Sequence, residues 1–193
     1  FTPGTMIATP TGQCPVEQLQ VGDKVITRDN GIQEIRWYGQ KFLDWKGLNA
    51  APHLRPVMIR KGALGGGLPE RDMVVSPNHR LLIANDRTSL YFEEREVLVA
   101  AKHLVNNRGV ERDKSAAATY IHFMFDAQQV VLSDGAWTES YRPDSTVVRA
   151  LPDVVRADLL AALAGRDPVR GPVFEAARQS CGAEVFDPRK APE

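Results

Sequence analysis

Histidine is the side chain best suited to exchanging a proton near neutral pH, and this chain carries four, His53, His79, His103 and His122. They are scattered, with no HExxH-type pair among them, so the sequence offers no positive sign of a metal site. Cys14 and Cys181 are the only cysteines. Two are too few for a disulfide framework and lack the clustering of a zinc site, so both are expected as free thiols. The glycine-rich run Gly62 to Gly67 (GALGGG) lacks the Gly-Lys-Ser/Thr ending of a phosphate-binding loop and reads as permissive loop backbone. No cofactor site is therefore expected. Of the histidines, His79 lies in Ser76-Pro77-Asn78-His79, and His122 has Asp126 as its nearest carboxylate along the chain. Taken alone, His79 reads as an imidazole capping a turn, Ser76 as the residue that begins it, and Asp126 as a charged strand-end residue. His122 stands open between an ordinary and a functional role.

The elements that must position these residues are mostly strands. Asp29-Asn30-Gly31 separates KVITR from IQEIRWY, a strong hairpin signal. Met73 to Val75 and Arg80 to Ile83 flank the Ser-Pro-Asn-His turn, which puts His79 at the end of a strand. Tyr91-Phe92, Glu96 to Ala101, Tyr120 to Phe125 and Gln129 to Leu132 are further short apolar or alternating runs, the last closed by Ser133-Asp134-Gly135. After Pro143 the pattern changes. Asp153 to Ala164 spaces apolar residues as a helix does, with Pro152 before it and Gly165 after it, and Val173 to Cys181 is a weaker helical pattern ending at Gly182. A mainly β domain over residues 1–146 followed by a helical appendage over 147–193 is the expected organisation.

The composition, 43% hydrophobic and 25% charged, is that of a globular protein able to build one main core. Twenty-four basic residues balance twenty-four acidic ones, so the long-range attraction of a nucleic-acid binder is absent from the overall balance. No apolar run approaches the roughly 18–20 residues that cross a bilayer, and the N-terminus lacks the order of a signal peptide. A soluble segment is expected, without a membrane span.

Three blocks of sequence, in order, resemble the Hint domain, the self-cleaving β-fold shared by hedgehog C-terminal domains and inteins. The first is Phe1-Thr2-Pro3-Gly4-Thr5-Met6-Ile7-Ala8-Thr9-Pro10-Thr11-Gly12, followed by Val16-Glu17-Gln18-Leu19 and Val21-Gly22-Asp23-Lys24-Val25. The second is Val75-Ser76-Pro77-Asn78-His79-Arg80-Leu81-Leu82, similar to the family's Thr-x-x-His before an apolar strand, with serine in the threonine position. The third and looser one runs from Tyr120-Ile121-His122-Phe123 through Val130-Val131-Leu132 to Ser133-Asp134-Gly135-Ala136-Trp137-Thr138-Glu139-Ser140. The combination spans about residues 1–145 and is most similar to the bacterial hedgehog/intein-type group.

The resemblance implies a compact Hint-type β-fold of short strands and hairpins with a C-terminal helical appendage, and a self-processing activity. In that family a cysteine thiol attacks the carbonyl of the residue before it, turning an amide into a thioester by an N-to-S acyl shift. Amide nitrogen leaves poorly, so an imidazole must protonate it and a hydroxyl or N–H must stabilise the oxyanion. Carried over by position, His79 takes the imidazole role and Ser76 the orienting or oxyanion role, and His122 and Asp126 fall near groups that assist later steps. The substrate is the upstream polypeptide in cis, and water, a thiol or another small nucleophile is the acceptor. The resemblance thus implies an autocatalytic domain acting in cis rather than a turnover enzyme. Bacterial members often accompany exported proteins, so an exported parent is implied.

Two departures matter. The family nucleophile would precede Phe1, and neither Thr2 nor Thr5 occupies its position, so the chain as written is expected to be inert in this step. The rest of the first block is preserved, which favours a cysteine lying just ahead of Phe1. Inteins end in His-Asn, whereas Glu139-Ser140 stands in that neighbourhood, which disfavours full splicing and leaves N-terminal cleavage. The competing function is a non-catalytic structural or binding module of a larger exported protein. A hydrolase for external substrates is weaker, because no second nucleophile–base–orienter set is present.

Overall fold

The computed structural model describes residues 1–84 and 96–142, together with the backbone of 180–181. Tyr91-Phe92, the helix expected over 153–164 and most of the second helical pattern lie outside the described residues. The strands are β1 (Met6–Thr9), β2 (Gly12–Pro15), β3 (Lys24–Ile26), β4 (Ile32–Glu34), β5 (Trp37–Leu43), β6 (Val57–Ile59), β7 (Met73–Val75), β8 (Arg80–Ala84), β9 (Glu96–Ala100), β10 (Val110–Arg112), β11 (Ala118–Met124), β12 (Val130–Ser133), β13 (Ala136–Glu139) and β14 (Ser180–Cys181). Among the described residues two short α-helices, α1 (Trp45–Ala50) and α2 (Ala101–Leu104), interrupt them, along with 3-10 turns at Val16–Gln18 and Pro52–Leu54. The fold is mainly β, as the strand and turn signals require.

Seven strands form the principal sheet in the order β14-β9-β8-β13-β12-β1-β2, and β10-β6-β7, β11-β5 and β3-β4 form smaller ones. The hairpin read at Asp29-Asn30-Gly31 is β3–β4, with Ile26 opposite Ile32. The strands flanking the Ser-Pro-Asn-His turn part company: β7 pairs with β6, whereas β8 pairs with β9 and β13. That turn therefore joins two sheets. Asp134-Gly135 makes the two-residue turn between β12 and β13 with φ of 48° and 81°, the left-handed pair that a tight hairpin demands. Asp134 also ties the turn to β1, its N–H donating to the Met6 carbonyl at 2.9 Å and its Oδ1 accepting from Met6 N–H at 3.2 Å.

The longest pairing joins β11 to β5, from Ala118 opposite Leu43 to Met124 opposite Trp37. Along β5 the Trp37 ring folds over Gly39, where a Cβ would meet its Cη2 at 2.5 Å. Buried side chains gather into two main clusters rather than the single core expected. One holds Val57, Ile59, Val75, Leu81, Val97 and Val99. The other holds Phe1, Ile7, Val25, Ile121, Phe123 and Phe125. The division follows from the small sheet β10-β6-β7 turning its apolar face to β8 and β9 instead of joining the other strands. Residues 180–181 correct the weaker helical expectation at its end: they run parallel to β9, Ser180 opposite Leu98 and Cys181 opposite Val99. An unpaired strand edge offers hydrogen bonds that a weak local helical preference does not outweigh.

Candidate active site around the Phe1 nitrogen

The chain enters the fold through a clamped turn. Thr5 N–H and Thr5 Oγ1 both donate to the Thr2 carbonyl, at 3.2 and 2.8 Å. Thr2 Oγ1 donates to the Val74 carbonyl at 2.7 Å, fixing this segment beside the middle of β7. Ahead of the turn, Phe1 N donates to the Ile121 carbonyl and Ile121 N to the Phe1 carbonyl, both at 2.9 Å. Two residues exchanging both bonds form the hydrogen-bonded pair of an antiparallel ladder, and the next residues out face each other without such bonds. A residue attached to the Phe1 nitrogen would thus stand opposite His122. Side chains alternate across a strand, so its side chain would share the His122 face, opposite to Phe1 and Ile121.

His79 comes to the same place on a separately anchored turn. Its N–H donates to the Ser76 carbonyl at 3.0 Å, and its carbonyl accepts from Ala101 N–H at 2.8 Å. Lys102 N–H and Nζ hold Pro77 and Asn78, at 2.9 and 2.8 Å, so the start of α2 grips the whole turn. The His79 ring meets the Phe1 ring edge-on, centroids 4.5 Å apart, and Phe1 stacks on Phe123 at 5.0 Å. His79 Nε2 is buried and has no hydrogen-bond partner. A buried polar atom without a partner costs stability, which points to a role for that nitrogen outside the resting fold. The His122 ring packs against Tyr141 at 4.9 Å, and Tyr141 in turn against Trp37 at 5.5 Å.

Burial dominates the electrostatics. It lowers the Phe1 amino group from 8.0 to about 5. Burial first, then the Phe1 amine and Lys41, lowers His122 from 6.5 to about 3. His79 is held well below its ordinary value by burial, with the Phe1 amine, His122 and Arg80 adding to it. At neutral pH both imidazoles are therefore neutral bases, and either becomes a strong acid once it holds a proton. Cys14, the one cysteine whose side chain is described, is not activated: burial, Asp23 and Glu17 raise its thiol. Among the described residues no group of three or more His, Cys, Asp or Glu could hold a metal ion. Nor is any helix among them long and apolar enough to cross a membrane.

A sequence profile described as the Hint domain matches residues 1–145. The chain belongs to the Hint domain family. Hint domains are self-processing units that act in cis on the polypeptide flanking them. No curated protein matches the chain. Among solved structures, the bacterial intein-like domain from Clostridium thermocellum is 16% identical, with 73% of this chain and 97% of that chain covered and a TM-score of 0.47. The MchDnaB-1 intein is 10% identical over 72% and 98% at 0.45, and the gp41-1 intein 12% over 71% and 94% at 0.40.

Of the four site residues expected from sequence, this Hint domain brings His79 and His122 together around Phe1. Ser76 lies three residues before His79 and shapes the turn, its Oγ accepting weakly from Asn78 N–H at 3.4 Å. Asp126 lies at the surface, 61% exposed, where Oδ2 accepts from Arg36 Nε at 2.9 Å. Sequence reasoning missed Thr2, Ile121 and Tyr141. Thr2 and Ile121 carried a usable signal, since they stand inside the first and third blocks; nothing local marks Tyr141.

Proposed function

We propose that this Hint domain cleaves the peptide bond at its own N-terminal junction by an N-to-S acyl shift, performed by a cysteine attached to the Phe1 nitrogen. That cysteine's sulfur adds to the carbonyl carbon of the residue before it. The carbon–nitrogen bond then breaks, the nitrogen leaves with a proton donated by the His79 imidazolium, and a thioester remains. Water or a small thiol breaks the carbon–sulfur bond and frees the upstream polypeptide as its acid or as a new thioester. The observation that carries the reading is the buried Phe1 nitrogen, with the His79 ring packed edge-on against the Phe1 ring, its Nε2 unpartnered, and His122 opposite the preceding position. The cysteine reacts as its thiolate, its proton passed to solvent, while His122 stands across from it as an assisting group and Ser76 orients the turn that holds His79. A chain that has Phe1 as its first residue lacks the nucleophile and is inert on this reading. Residues 1–146 form the processing unit and 147–193 an appendage, a division supported by the extent of the family match.

The test is a fusion with a reporter domain and a cysteine placed immediately before Phe1, incubated with and without a small thiol and followed by intact mass. Thiol-accelerated cleavage at that cysteine, lost in His79→Ala, is the expected result. A fusion that stays intact under all conditions overturns the reading and leaves a structural module.

A further inference from the structure

Glu139, the last residue of β13, is a carboxylate with only 12% of its side chain exposed. Arg80 Nη1 donates to both of its oxygens, at 3.1 and 3.4 Å, and Gln128 Nε2 donates to Oε2 at 2.6 Å. The register that sets Thr138 opposite Leu81 puts Glu139 directly across the ladder from Arg80, where side chains of one face meet. Arg80 is the residue that follows His79. A largely buried ion pair is a poor source of net stability, because desolvation offsets the attraction, so its use is to be sought in what it places.

We propose that Glu139 is a positioning residue for His79: its pair with Arg80 fixes the strand end that carries the imidazole and offsets the cation standing next to it. The inference rests on the cleavage reading above. The groups that face His79 are the Phe1 nitrogen from the N-terminal segment, His122 from β11 and Arg80 from β8. Those that face Glu139 are Arg80, Arg142 and Gln128. In a precursor the Phe1 nitrogen is an uncharged amide, which leaves Arg80, among the described residues, as the permanent cation acting on His79. With Glu139 neutralised, that cation is uncompensated and the imidazolium needed to expel the amine is harder to form.

Cleavage that needs a thiolate and an imidazolium together follows a pH plateau whose height and acid limb move together: a tenfold fall in height accompanies a shift of about one pH unit. In the cysteine-bearing fusion, Glu139→Gln is expected to lower the plateau about three- to tenfold and to move the acid limb about half to one unit down. Arg80→Gln moves the limb up, and the double variant, neutral at both positions, recovers most of the loss. A Glu139→Gln profile identical to wild type, or slowed equally at every pH and not rescued in the double variant, overturns the proposal while leaving the cleavage reading intact. Should Glu139→Gln fail to fold, an Arg80→Gln limb that does not move overturns it as well. A wild-type fusion that never cleaves overturns both.

Discussion

His122 gives the sharpest quantitative handle on this site, because its burial translates directly into a pH dependence of folding. The unfolded chain binds a proton at this imidazole with the ordinary value of 6.5, whereas the folded chain refuses it until about pH 3. Between those values the unfolded state holds more protons, so stability is present above pH 6.5 and is lost as pH falls towards 3. From pH 7 to pH 5 the loss attributable to this one group is about 2 kcal/mol. His79 and the Phe1 amine act in the same direction, and the comparison must remove them. His122→Phe does so, since it keeps a ring against Tyr141 and deletes only one titration. Urea unfolding of both proteins at pH 7 and pH 5 is the assay, with near-ultraviolet circular dichroism at pH 7 establishing that both are folded. Wild type should lose about 2 kcal/mol more than the variant on acidification. Equal losses would refute the reasoning, since they would mean that His122 takes up its proton as readily in the fold as out of it.

Three further outcomes follow from the geometry. Thr2→Val deletes the hydroxyl bond to the Val74 carbonyl and should cost about 1 kcal/mol in chemical denaturation, with slower cleavage in the fusion; an unchanged rate would separate this bond from the site. Gly39→Ala forces a methyl group into the Trp37 ring and should destabilise by about 1–3 kcal/mol, visible as a lower thermal midpoint and altered tryptophan fluorescence. Asp126→Asn removes a surface ion pair with Arg36 worth at most about 1 kcal/mol and should leave the cleavage rate within about twofold; a loss beyond about tenfold would place Asp126 in the chemistry.

Much of the strand content was legible because alternation and turn residues are local signals. Asp29-Asn30-Gly31 and Asp134-Gly135 both close hairpins, and His79 stands immediately before β8. Boundaries moved by a residue or two, as with Val130–Ser133 in place of a strand starting at Gln129. Less legible was the fate of Ser180 and Cys181, whose helical spacing gave way to pairing with β9. Asp126 shows the same limit within the site. Proximity in sequence to His122 made it a candidate, yet it lies beyond the end of β11, where its carboxylate turns to solvent and Arg36.

By itself the sequence determined the short strands, the turns between them and the family, because each rests on residues close together along the chain or on blocks whose order is preserved. Only the tertiary structure decided what surrounds the Phe1 nitrogen. Ile121 is 120 positions away from it in the chain, and the Arg80–Glu139 pair spans 59. No local propensity encodes such separations. They arise when strands from distant parts of the chain satisfy one another's backbone hydrogen bonds and bury a shared apolar face. That closure half-buries both imidazoles and keeps them neutral beside Phe1.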